Sequence, residues 1–459
     1  MFRFRNNFGE LARLVECERI DANGVRNTSI EAEESEILTQ ANRRMPRTVL
    51  LRGARQLVTL RGEHRPRHGA EMSALGIIQD GALLIVDGVI REVGPSRRVE
   101  RLIEARRAEE IDASGKVVLP GFVDCVTRPL HPIATAAMVD ERCRRGNLGE
   151  IGDRMVNSSA SLKAFSAQRL EADARKHLRQ FLAQGTLTMA ASPGWDDDER
   201  TSIKALRVFR ELGPGAVRVV PAVAVGATAS ADLLERVRQG RLAALASIDA
   251  RHAEAWLMAR RARELGFTLR IHGSAELALQ GGAAMFTGSP EAATGWTPEL
   301  SAGLREAGVV WVVCPAVDRL CGRAPAPLRA GIDSGLAVAL ATGFGIDASA
   351  TSSLAAVMNL ACLDLRMTPA EAITATTINA AFALNVADEV GSLAPGKAAD
   401  LLLMDAADYR EVPMQMGSNL VHTLVRRGEC EAVAPAAMRL GPRSAVGTGE
   451  ERIPPARAS

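Results

Sequence analysis

The chain has 459 residues, of which 47% are apolar and only 3% aromatic, so a large core built from Ala, Val, Leu and Ile is available. Its 56 basic and 54 acidic residues nearly cancel to a net charge of +2. That balance excludes the basic excess that drives phosphate-backbone binding, and nucleic acid is not an expected partner. The seven cysteines are odd in number and never in a Cys-x-x-Cys pair, a pattern that fits reduced thiols better than a disulfide framework.

In chain order, residues 1–44 are polar, with acidic residues that argue against a transit peptide and no signal-peptide core, and are expected to form a flexible extension. Two short β-rich stretches follow, TVLLRGARQLVTL and GALLIVDGVIREVG. In the second, Asp87-Gly88 between apolar runs predicts a tight hairpin, because both central residues of such a turn need φ > 0.

From Val117 to about Ala383 the pattern changes to short apolar runs alternating with helical segments. VVLPGFVDCV, TLTMAAS, AVRVVPAVAVG, AALASID, FTLRIHG, GGAAMF, VVWVVCP and LAVALATG are the apolar runs. Strands buried on both faces and separated by helices predict parallel βαβ units. About eight such units fit a closed (β/α)₈ TIM-like barrel, and no G-x-G-x-x-G follows an early strand to favour a doubly wound sheet. The β pattern returns in VGSLAPGKAADLLLMDA and LVHTLVRRGE, which place a Pro395-Gly396 turn near the end of the ordered chain.

The expected organisation is therefore an α/β protein. Residues 45–114 and 388–432 form a small β-sandwich from both ends of the chain, residues 115–387 form the barrel, and residues 433–459 form a disordered tail. No stretch reaches the roughly 20 apolar residues of a membrane span, and the expected location is the cytoplasm. Barrel chemistry belongs at the C-terminal strand ends, which are the positions to read.

The run Gly115–Asp124 resembles the first barrel strand of the amidohydrolase superfamily, in which Asp-x-His-x-His supplies two metal ligands. From ALATGFGIDASATSSLAAVMNLACLDLRMTPAEAITATTINAAFALNVADEVGSLAPGKAADLLLMDA onward, and more weakly back to Thr48, the chain is similar to the imidazolonepropionase members of that superfamily. The resemblance implies a composite β-sandwich beside the barrel, a Zn or Fe ion, hydrolysis of a non-peptide C–N bond in a cyclic amide, and a homodimer.

Carried over position by position, the ligand set does not survive. The two histidines of the first strand correspond to Val126 and Arg128, and the aspartate of the last strand corresponds to Gly343 in Ala341-Thr342-Gly343. The histidine of the next strand should stand near Phe286-Thr287-Gly288. His272 is the one retained ligand. Ala275 stands where the family has an acid, with Glu276 one place on, and Pro193-Gly194-Trp195-Asp196 stands for the substrate-binding Ser-Gly-Tyr-Gly. His272 and Glu276 are the catalytic candidates, and Arg128 and Trp195 the substrate-binding ones.

Arg128 puts a fixed cation close to where the family's metal stands. It is expected to pair with Asp124 or Glu276, or else to make the cavity an anion site. A relocated metal site from Cys125, His131, His272 and Cys314, and a replacement role for Asp347, are further options. The overall expectation is an imidazolonepropionase-like, non-hydrolytic paralogue with no cofactor, or with Zn or Fe if the family site is retained. It would bind a small molecule. The alternatives are an active C–N hydrolase with a rearranged site, and a structural or regulatory subunit of an oligomer.

Overall fold

The computed structural model describes residues 46–131, 140, 144, 162–195, 198–213, 215–226, 229–288, 297–346 and 349–432. The expected extension and tail, Asp196 and Asp347 lie outside these residues.

Eight strands form a small sheet in the order β16-β15-β14-β5-β1-β2-β3, with β4 against β1. They are β1 (Thr48–Val58), β2 (Ile77–Val86), β3 (Val89–Pro95), β4 (Glu109–Asp112), β5 (Val117–Pro120), β14 (Leu401–Met404), β15 (Val421–Arg426) and β16 (Glu429–Ala432). Asp87 and Gly88 join β2 to β3 with φ of 49° and 78°, the conformation that a two-residue hairpin requires. The Pro395-Gly396 turn is tied to the same strands, Gly396 donating its N–H to the carbonyl of Ile90. Leu51, Leu83 and Ile85 from one end of the chain share a core with Leu401, Leu403 and Val425 from the other. Burying that common face makes the two halves one unit, built on a single sheet.

The run VVLPGFVD does not form one barrel strand as expected. Val117–Pro120 is β5 of the small sheet, paired with β14 and β1, and only Phe122–Asp124 forms the first barrel strand β6. Pro120 has no N–H with which to continue a ladder. The chain crosses between sheets at Gly121, whose N–H goes to the Asp400 carbonyl.

The barrel strands after β6 are β7 (Thr186–Ala191), β8 (Arg218–Val225), β9 (Leu245–Asp249), β10 (Thr268–His272), β11 (Met285–Thr287), β12 (Val310–Val313) and β13 (Ala337–Leu340), all parallel and hydrogen-bonded in sequence order. Helices α1 (Ala167–Ala183), α2 (Glu199–Leu212), α3 (Ala231–Gln239), α4 (Ala255–Glu264), α5 (Ala275–Gly281), α6 (Pro298–Glu306), α7 (Pro315–Leu320) and α8 (Leu328–Asp333) connect or follow them. Ser166, Asp198, Ser274 and Thr297 cap four of these with a side-chain oxygen on a first-turn N–H.

The ring is nearly closed. Just past the ends of β6 and β13, Gly343 donates to the Val126 carbonyl and Arg128 donates to the Phe344 carbonyl. Asp124 completes the junction: its fully buried carboxylate accepts from the Thr342 N–H and, at 2.5 Å, from the Thr342 hydroxyl. No helix among the described residues is long and apolar enough to cross a membrane.

Candidate active site at the barrel mouth

Residues opposite one another in a parallel ladder project to the same face. At the C-terminal end of the lumen the register sets Asp249, His272, Thr287, Val312 and Ala339 side by side on β9 to β13. His272 shares a 2.9 Å hydrogen bond through Nδ1 with the Thr287 hydroxyl. Burial above all, reinforced by Arg128, Arg270 and Arg251 and opposed by Asp249, pushes the His272 imidazole down to about 4, so it is neutral at pH 7.

Trp195 stacks on His272 with ring centroids 5.5 Å apart and an interplanar angle of 29°. The Arg128 guanidinium carbon lies 5.6 Å from the Trp195 ring centroid. Three of the sequence-selected residues, from the ends of three strands, thus form one row of planar groups. The loop after β7 can approach so closely because residue 226 is glycine: a Cβ there would lie 2.1 Å from the Trp195 carbonyl oxygen.

Glu276 is not part of this row. It is exposed in the first turn of α5 and takes the Ser274 hydroxyl at 3.1 Å. Asp124 is committed to Thr342, and the bonds recorded for it and for Glu276 go to Thr342, Val126 and Ser274. Burial raises the Asp124 carboxyl to about 7, and its hydrogen bonds to Thr342 and Val126 moderate that rise.

The residues that the resemblance sets at metal-ligand positions do not fit a divalent ion. Val126 is buried, Arg128 is a cation, and Thr287 is already bonded to His272. Gly343 has φ of +62°, and a Cβ on it would lie 2.3 Å from Val317 Cγ2 and 3.3 Å from Cys314 Cβ. The relocated site fares no better. Burial raises the Cys125 and Cys314 thiols and lowers His131 to about 3. Among the described residues no group of three or more His, Cys, Asp or Glu side chains is placed to hold a metal.

Two residues of the mouth were not singled out from the sequence. Asp249, beside His272, is gripped by Arg251 through Nε at 3.1 Å and Nη2 at 2.7 Å; burial would raise its carboxyl, but these bonds hold it below the usual range. Arg270 lies one lumen layer deeper, 3% exposed, with Nη1 3.3 Å from the Cys125 carbonyl. Burial, then the charge of Arg128, lowers it to about 10. The period of two along FTLRIHG, which sets Arg270 and His272 on one face, is the signal that would have found it.

The amidohydrolase family model matches residues 117–430. The chain is 35% identical over 415 residues to imidazolonepropionase of Solibacter usitatus, covering 83% of this chain and 97% of that one. It is 32% identical to imidazolonepropionase of Parabacteroides distasonis, covering 83% and 98%. Among solved structures, E. coli guanine deaminase superimposes with a TM-score of 0.62 at 18% identity, covering 83% of this chain and 98% of that one. A triazine hydrolase variant gives 0.61 at 19%, covering 85% and 96%. Identities this low speak for the fold alone.

Proposed function

Starting from the fact that the chain belongs to the amidohydrolase family, close to imidazolonepropionase, we propose that it keeps the family's barrel without its metal-dependent hydrolysis and uses the mouth to bind a small molecule. What supports this reading is the set of side chains that the resemblance puts at the ligand positions: Val126, Arg128, Thr287 and Gly343, with His272 the one retained ligand. Catalytic metal sites commonly use about three protein ligands. In the family, the metal's contribution is to make a hydroxide available from bound water near neutral pH. Here the Trp195 ring meets a neutral imidazole and a guanidinium instead. That arrangement orients and attracts a ligand and offers no activated nucleophile.

The deciding experiment is metal analysis of the purified full chain together with a turnover assay on imidazolone propanoate. We expect no stoichiometric metal and no hydrolysis with or without added Zn or Fe. About one tightly bound Zn or Fe per chain would sink the reading. Turnover that survives a chelator and vanishes in His272→Ala would instead support a rearranged hydrolase. We also propose a cytoplasmic homodimer, in line with the resemblance; light scattering that shows monomer under all conditions would count against the dimer.

A further inference from the structure

Outside the barrel wall, a groove of about 480 Å³ is lined by Trp256, Arg260, Arg263 and Glu264 of α4 and by Gly281 at the end of α5. Ala255, Met258, Ala259 and Ala262 are the buried side of α4, and the four lining residues recur at the spacing of another face of the helix. They form a row that spans roughly 10 Å from Trp256 to Arg263, at about 1.5 Å of rise per residue. The volume falls within the range of small-molecule sites, about 300–1,000 Å³. Five lining residues are few beside the roughly 20–30 a side of a stable protein interface.

The aromatic and the cationic ends of the row are each incompletely used. Trp256 is 46% exposed, whereas Trp311 is 2% exposed in the barrel; a flat apolar group laid on the Trp256 ring would take that surface out of water. Arg263 Nη1 donates to the Gly281 carbonyl at 3.1 Å. Gly282 leaves room for this guanidinium: it has φ of +64°, and a Cβ on it would lie 2.8 Å from Arg263 Nη1. Arg260 Nε donates to Glu264 at 3.0 Å, and Glu264 is shared with Arg261 at 3.3 Å. A guanidinium has five N–H donors, and among the described residues these are the only partners of Arg260 and Arg263. Both heads are thus held at the groove with most of each fork unbonded.

We propose that this groove binds an aromatic carboxylic acid, its ring stacked on Trp256 and its carboxylate taken by the remaining N–H groups of Arg260 and Arg263. Offset stacking on the indole favours an aromatic ring over a saturated one, and the planar fork of arginine matches a carboxylate. The length of the row suits a ring and a carboxylate joined by a short linker, as in 3-phenylpropanoate. Two arginines against one glutamate leave the groove cationic, and because these groups are exposed, binding falls as salt rises. The site is separate from the barrel mouth and does not depend on how the mouth is read.

The test titrates the full chain with 3-phenylpropanoate, its neutral amide, 3-cyclohexylpropanoate and inorganic phosphate, followed by calorimetry and tryptophan emission. 3-Phenylpropanoate is expected to bind and to change the emission, and the amide and the cyclohexyl acid to bind more weakly. Trp256→Leu is expected to weaken 3-phenylpropanoate about fivefold, the loss of a stacked ring, and to remove the emission change. Arg263→Gln is expected to weaken it about tenfold, the loss of a charge-assisted hydrogen bond. Both side chains are exposed, so Tm is expected to stay unchanged in each variant, and Arg128→Gln at the mouth is expected to leave the titration unchanged. Equal response to acid and amide, binding of phosphate alone, no binding of 3-phenylpropanoate, or unchanged affinity in Trp256→Leu overturns the site. Affinity lost in Arg128→Gln and kept in Trp256→Leu would likewise overturn it and assign the acid to the mouth.

Discussion

Val317 fills the space that a side chain at residue 343 would need: a Cβ built on Gly343 would lie 2.3 Å from Val317 Cγ2. Gly343 also has φ of +62°, where any L-residue is strained. A carboxylate at this position, as the resemblance would place it, has no room beside α7.

Gly343→Asp alone is expected to destabilise the protein by about 1–3 kcal/mol, the usual range for overpacking, and adding Val317→Ala should recover part of the loss. In the set Val126→His, Arg128→His, Thr287→His and Gly343→Asp, we expect metal binding to return only when Val317→Ala is included. Thermal denaturation and metal analysis of the two sets check this; equal metal content with and without Val317→Ala would refute it.

Asp124 pins the first barrel strand to the last through Thr342. Its folded-state carboxyl is raised from 3.8 to about 7, so between pH 4 and 7 the folded state holds a proton that the unfolded state has released. Stability from this group is present below pH 4 and declines as pH rises to 7. Asp124→Asn keeps an acceptor for Thr342 and should remove that decline, whereas Asp124→Ala should cost about 1–3 kcal/mol at every pH through unpaired buried donors. Denaturant unfolding across pH 4–8 distinguishes the two.

His272 works in the opposite direction. Its folded value of about 4 lies below the ordinary 6.5, so its contribution is present above pH 6.5 and lost as pH falls toward 4. His272→Gln should flatten that acid-side loss without touching the Asp124 component, as read from the same unfolding series. An unchanged acid slope in His272→Gln would contradict the neutral, half-buried imidazole.

Gly226→Ala should displace the Trp195 loop, since the new Cβ would meet a backbone oxygen at 2.1 Å and backbone has little room to yield. We expect a loss of about 1–3 kcal/mol and a shift in tryptophan emission that is absent when the change is made in a Trp195→Phe background. Emission that shifts equally in both backgrounds would place the effect elsewhere.

The parts of this architecture that depend on local pattern were legible in the residues. Period-two burial and turn chemistry at Asp87-Gly88 located the hairpin, and double-sided apolar runs located the parallel strands. The family resemblance pointed to Val126, Arg128, His272 and Gly343. The split of VVLPGFVD was missed because one apolar run reads the same whichever sheet it joins; the partners of β5, Leu57 and Leu402, lie far away in the chain.

The sequence by itself determined most of the strand and helix pattern and the family, because these follow from residue identity and spacing along the chain. Only the tertiary structure decided that Trp195 meets both His272 and Arg128, that Asp124 serves the barrel junction, that Val317 packs against Gly343, and that Arg270 and Ser247 share a lumen layer. Those relationships are set by strand register and ring closure, which bring together residues up to 218 positions apart and leave no signature in local composition.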